Sequence, residues 1–171
     1  IFYFPHPTDR YFSNGLEIDY SSPLFENVFV NRILIGASDH GYRSGLQFTQ
    51  NLYTPDDLRS DSVVIGDRPY ASYSLVEMYK IYNSPSRHFR ITSSIGIGVI
   101  GEWSGGGAMQ NTVHSLTRNS DFVPGWKNQI ANDILFTYRV QVEKGLINSS
   151  AFQFNLTSDA MIGSLHNYAG L

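Results

Sequence analysis

Period-2 alternation of apolar and polar residues constrains this chain more than any other feature, because a pattern that repeats every two residues fits a half-buried strand and does not fit a helix. Over residues 89–99 the odd positions are Phe89, Ile91, Ser93, Ile95, Ile97 and Val99, and the even ones are Arg90, Thr92, Ser94, Gly96 and Gly98. Over 134–143, Ile134, Phe136, Tyr138, Val140 and Val142 alternate with Leu135, Thr137, Arg139, Gln141 and Glu143. Shorter runs follow the same rule: Leu16, Ile18 and Tyr20; Leu46 and Phe48; Phe152, Phe154 and Leu156. Residues 71–82 read as a further strand with poorer alternation, and 164–171 end in apparent strand. Turn signals separate the runs at Ser22-Pro23, Asp39-His40-Gly41, Asn83-Ser84-Pro85-Ser86 and 145–149. One helix is expected, over 107–118, after the glycines at 105–107. The long irregular segments 54–69 and 119–130 are where function is expected, since long loops in a compact domain are usually functional. The 171 residues read as one domain.

Alternation does not say which face meets water. A soluble β-sandwich would bury the apolar face, whereas an outer-membrane barrel turns it to lipid and lines its lumen with the polar one. Composition favours the barrel. Charged residues are 16% of the chain against roughly 25% in soluble domains. The polar faces carry mostly Thr, Ser, Gln, Asn and Gly, with few of the Lys and Glu that coat a solvated surface. Arg90, Arg139 and Glu143 could pair across a filled lumen with Glu17, Asp19 or Asp159. The expected fold is therefore all-β, an antiparallel up-and-down transmembrane barrel in which Phe89, Ile91, Ile95, Ile97, Phe136, Tyr138, Val140, Phe152 and Phe154 point outward. Arg90, Thr92, Arg139, Gln141, Gln153 and Asn155 should point inward. About six or seven strands are visible where a single-chain barrel needs at least ~8, so further strands are expected beyond Leu171. No signal peptide precedes Ile1, which suits a cytosolic chain, a mature product or a trimmed one. A net charge of −3 argues against a nucleic-acid partner, and the absence of Cys excludes thiolate metal sites.

Within the expected helix, Gln110 and His114 stand four residues apart and so share a face. Imidazole titrates near neutrality and is the commonest general base, although a surface His on a polar helix is the plainer reading of the pair. Ser13 opens a strand and could donate to an oxyanion or position a water, although a structural Ser at a strand start is the plainer reading. Asp67-Arg68 before Pro69 reads as a turn, or as a guanidinium placed for a phosphate. His6, His40, His88 and His166 form no metal spacing.

The stretches TDRYFSNG (8–15), QNLYTP (50–55), GDRPYA (66–71), GVIG followed by QNTVH (98–101 and 110–114) and GWKNQ (125–129), in that order, resemble the outer-membrane lipid A 3'-O-deacylase family. The resemblance covers nearly the whole chain and ends near SLHNYAGL. It implies a twelve-stranded barrel in the cell outer membrane, of which this chain is roughly the N-terminal half, with one short helix near the active site. It also implies calcium-dependent hydrolysis of the 3'-linked acyl ester of lipid A, with lipopolysaccharide and outer-membrane lipid as partners and the protein acting as a monomer. By this resemblance His114 is the general base, Ser13 stands at the active-site hydroxyl position, Gln110 matches the active-site Gln, and Arg68 with Asp67 lies near the lipid A headgroup; the calcium ligands are not identified. Two positions depart from the family. Nothing before Thr8 matches its upstream Asn-Asp pair, and Val64-Ile65 stand where a basic residue often precedes Gly-Asp-Arg. The alternative is a structural or ligand-binding barrel of the same family without catalysis.

Overall fold

A computed structural model describes residues 11–36, 41–117, 122–149 and 151–171. Seven strands pair in chain order into one sheet: β1 (Phe12–Ser21), β2 (Tyr42–Tyr53), β3 (Ala71–Ser84), β4 (Phe89–Ile100), β5 (Asp133–Asn148), β6 (Gln153–Gly163) and β7 (Tyr168–Gly170). They form an antiparallel meander, and β1 and β7 do not pair among the described residues. The one α-helix among the described residues, α1, spans Gly106–Thr117 between β4 and β5. Among the described residues no helix is long and apolar enough to cross a membrane.

The chain divides into two compact units, one of residues 1–17, 49–75 and 98–134, the other of 18–48, 76–97 and 135–171. The first carries α1 and the connection 54–70. Its core is Leu52, Tyr70, Val123 and Trp126, with Leu58 and Met109 against it.

In the second unit the alternation separates two chemically distinct faces. Arg43, Glu77, Thr92, Arg139 and Gln141 line one cavity of about 330 Å³, and Arg90, Glu143, Gln153 and Asn155 line another of about 420 Å³. Arg139 grips Asp159 with two hydrogen bonds, from Nε at 3.0 Å and from one terminal nitrogen at 2.5 Å. Glu77 accepts from Ser94 and Thr137, both at 3.2 Å. The opposite face is open and apolar: Ile97 is 65% exposed, and Phe136, Phe152 and Phe154 are similarly uncovered. The expected inward set thus lines the cavities, and Ile97, Phe136, Phe152 and Phe154 lie uncovered on the other face, whereas Phe89, expected outward, borders the second cavity at the strand end beside Arg90.

The expected reversal at 145–149 falls later. β5 continues to Asn148, and Gly145 marks a bulge instead: Gly145 pairs with Asn155 and Ile147 with Phe154, leaving Leu146 between them. A glycine inside a strand commonly marks such an irregularity rather than a turn. After β5 the Ser149 N–H donates to the Phe152 carbonyl at 2.9 Å, ahead of β6.

Candidate active site

The first unit holds all five residues singled out by sequence. Three consecutive residues at the end of β2 organise it. Leu52 is fully buried in the core beside Trp126. Tyr53 lies under Arg68, whose guanidinium carbon is 4.4 Å from the ring centroid, and meets Phe12 edge-on at 5.7 Å. Thr54, buried, brings its Oγ1 within 2.5 Å of the Ser13 hydroxyl, while its N–H donates to the Tyr11 carbonyl at 3.0 Å. Alternation puts Leu52, Thr54 and Ser13 on one face and Phe12 and Tyr53 on the other, where Arg68 reaches the Tyr53 ring from the connection between β2 and β3.

The helix is fastened to the Leu52 face through the short 3-10 turn Gly101–Ser104. The Ser104 carbonyl accepts from Gln50 Nε2 at 2.5 Å and Ser74 Oγ at 2.9 Å, and the Ser104 and Ser72 hydroxyls lie 2.5 Å apart. These three β2 and β3 side chains form a polar strip that holds the turn in place. Gly105, at φ +71°, ends it in the left-handed region that glycine enters freely. Gly106 and Gly107 then let α1 approach closely. A Cβ at Gly106 would lie 2.4 Å from the Ser72 Cβ, and one at Gly107 2.9 Å from the Trp126 ring.

On α1, Gln110 is buried, and its Oε1 accepts the indole N–H of Trp126 at 2.6 Å. Trp126 packs in turn on Tyr70, ring centroids 5.1 Å apart. The carbonyl end of Gln110 is thereby fixed. His114, one turn later on the same face, is half-buried. Asp67 shapes the approach of Arg68: its Oδ2 accepts from the Asp56 N–H at 2.9 Å and its Oδ1 from the Arg68 N–H at 2.7 Å. Arg68 itself is exposed. Beside the start of α1 lies a cavity of about 550 Å³ bordered by Glu102, Asn111, Lys127, Gln129 and Asn132.

Among the described residues two buried polar atoms have no hydrogen-bond partner, Tyr70 Oη and Gln129 Oε1. Burial pushes the Tyr70 phenol above its ordinary value, and the Asp57 carboxylate adds to this. Among the described residues no group of three or more His, Asp or Glu gathers where a metal could be held.

Sequence reasoning missed Trp126 and Thr54 as partners of Gln110 and Ser13. Both lie inside the quoted motifs GWKNQ and QNLYTP, but their partners are 16 and 41 residues away, which no local periodicity reports.

An antiparallel meander with a polar inner face and an apolar outer one, carrying its helix on a long connection, defines a transmembrane β-barrel protein of the outer membrane. The chain belongs to the family described as outer membrane protein LpxR, whose sequence model matches residues 2–171. Its fold is shared with the solved structure of LpxR from Salmonella typhimurium, at a TM-score of 0.75 and 23% identity, over 94% of this chain and 51% of that one. The chain thus spans about half the length of that structure. No match emerges among curated proteins.

Proposed function

We propose that the protein hydrolyses the 3'-linked acyl ester of lipid A. Membership of the LpxR family across residues 2–171 carries this reading. The geometry of α1 supports it, since Trp126 fixes Gln110 on the face that also bears His114.

In this reaction His114 accepts a proton from water, and the water oxygen attacks the ester carbonyl. The tetrahedral intermediate collapses with cleavage of the acyl carbon–oxygen bond, and His114 returns the proton to the departing sugar oxygen. Gln110 positions the water or the ester through its amide, and the Ser13 hydroxyl, held beside Thr54, donates to the carbonyl oxygen as it gains charge. Arg68 meets a headgroup phosphate with its forked guanidinium, and Asp67 sets the loop from which it reaches.

Calcium enters the proposal from the family resemblance. The described residues do not supply a carboxylate or imidazole cluster for it, so each step above is carried by the chain's own side chains. The protein acts as a monomer on lipopolysaccharide at the membrane surface.

The test is mass spectrometry of lipid A after incubation with the full-length protein and calcium. Wild type should release the 3' acyl chain, and His114→Ala should lower the rate ~10²–10⁴-fold, the usual loss for a general base. Wild-type rates in the variant would remove His114 from the mechanism. An inert wild type would instead favour the non-catalytic barrel, in keeping with Val64-Ile65 ahead of Gly66.

A further inference from the structure

The outward face of the second unit contains side chains that hydrocarbon should exclude. Lys80 lies on the same face of β3 as Val76 and Met78, yet it is only 3% exposed. Ser44 on β2 and Ser93 on β4 are also buried on outward positions, and Tyr138 on β5 turns its hydroxyl there. A charge facing lipid is costly wherever it lacks a partner.

Each of these groups bonds to the segment 22–36, which joins β1 to β2. Ser93 Oγ donates to the Ile35 carbonyl at 2.7 Å, the Tyr138 hydroxyl to Ile33 at 3.0 Å, and Lys80 Nζ to Gly36 at 3.3 Å. Lys80 also lies 4.5 Å over the Tyr42 ring. Ser44 Oγ reaches Asn31 Oδ1 at 3.0 Å, and the Asn31 amide in turn serves the carbonyls of Phe25 and Glu26. The Tyr42 hydroxyl adds a second donor to Glu26 at 2.9 Å. Two 3-10 turns, Pro23–Phe25 and Phe29–Arg32, satisfy the carbonyls of Ser22, Pro23, Val28 and Val30 from within. The segment therefore lies along the outer wall with its strand side packed on protein, where the carbonyls of Ile33, Ile35 and Gly36 are paired with strand side chains, and irregular backbone at membrane depth is tolerated where protein covers it.

Its other side is apolar and uncovered. Leu24 is 79% exposed, Phe29 66%, and Ile33 and Ile35 50% each. Arg32 keeps its guanidinium carbon 5.6 Å over the Phe29 ring, as a side chain does when its stem lies in an apolar layer and its head reaches toward phosphate. The β3–β4 connection at 85–88 is a tight turn, and the Ser149 N–H donates to the Phe152 carbonyl where β5 gives way to β6. Outer-membrane barrels place their short turns on the periplasmic side.

We propose that residues 22–36 form a lipid-embedded collar, packed on the outside of the barrel and immersed through Leu24, Phe29, Ile33 and Ile35 in the periplasmic leaflet of the outer membrane. The partner is phospholipid. The collar continues the lipid-facing surface of the sheet, and its strand-side polar contacts account for Lys80, Ser44 and Ser93 on an outward face.

The test uses the full-length protein in phosphatidylethanolamine/phosphatidylglycerol vesicles, with a single nitroxide label at Leu24→Cys, Phe29→Cys or Ile33→Cys. Ile97→Cys, on the outward sheet face, is the lipid reference, and Ser86→Cys, in a tight turn, is the aqueous one. Residues 1–171 contain no cysteine, so any native cysteine elsewhere is first replaced by serine. Heat-modifiable gel migration shows that each variant is folded, and three independent positions protect against one misfolding. The collar labels should collide with oxygen several-fold more often than with a water-soluble nickel complex, matching Ile97. Nickel accessibility like that of Ser86 would overturn the proposal in favour of a solvated loop. Low accessibility to both probes would overturn it in favour of a covering protein.

Discussion

The indole N–H of Trp126 donates to the side-chain carbonyl of Gln110 at 2.6 Å, both groups buried beneath the helix. Trp126→Phe keeps a ring in the core but strands that carbonyl. An unpaired buried acceptor costs about 1–3 kcal/mol, whereas removing both partners can be nearly neutral. Urea unfolding followed by circular dichroism should therefore show Trp126→Phe less stable by that amount, and Trp126→Phe with Gln110→Leu recovering most of the loss. In the deacylation assay both variants should lower kcat more than they raise KM.

Gly106→Ala should destabilise the helix docking by about 1–3 kcal/mol, the usual cost of overpacking. Helix propensity alone has the opposite sign, since Ala exceeds Gly by roughly 0.5–1 kcal/mol. The steric term decides, because the new methyl would lie 2.4 Å from the Ser72 Cβ and 3.1 Å from Leu52 Cγ. A thermal or urea midpoint equal to wild type would mean that the turn at Gly101–Ser104 can slide.

Tyr70 gives a pH test. Its phenol is held above the ordinary value of 10.0 by burial first and by Asp57 second. The fold favours the neutral form, so this contribution is complete below pH 10.0 and is lost as pH rises through the higher folded-state value. Tyr70→Phe should lose less stability than wild type between about pH 8 and about pH 11, a range that brackets the ordinary phenol pKa. At the lower pH it should match or slightly exceed wild type, because the hydroxyl it removes has no partner. Urea midpoints at the two pH values check both statements.

Arg139 and Asp159 form a bidentate pair between β5 and β6, to which Tyr168 of β7 adds a hydroxyl contact at 3.3 Å. Both side chains retain access to solvent, 43% and 23% exposed, so the pair is worth only about 1 kcal/mol. Asp159→Asn should lower the unfolding free energy by that order. The gap from wild type should narrow as salt rises, because ions screen accessible charges. A gap that ignores salt would point to packing instead.

Strands were legible because their signal is local. Residues 89–99 and 134–143 alternate cleanly, and β4 and β5 contain them. The ends of β5 were less so, since Gly145 looks like a turn and only pairing with β6 shows that the strand continues. The segment 22–36 gave no periodic signal, and its course is set by bonds from Ser93, Lys80 and Tyr138, more than forty residues away in sequence. The candidate residues Ser13, Asp67, Arg68, Gln110 and His114 were picked out as motifs, and they all fall in one unit. Its internal connections were not, because the contacts of Gln110 with Trp126 and of Ser13 with Thr54 arise from tertiary packing.

The bulge in β5 has a consequence for how this wall can change length. Ahead of it Gly145 faces inward beside Asn155, and after it Ile147 pairs with Phe154 and Asn148 with Gln153. In an unbroken strand the two-residue repeat would turn Ile147 toward water and Asn148 toward lipid. Leu146 absorbs the mismatch, so Ile147 remains outside and Asn148 lines the inner cavity with Gln153. The strand behaves as one that has accepted a single-residue insertion near its rim without inverting the residues beyond it. Removing Leu146 would restore an uninterrupted strand with the same residues inside and outside. Strands of this wall can therefore gain or lose an odd number of residues during evolution, provided the change falls where a glycine lets the backbone bend.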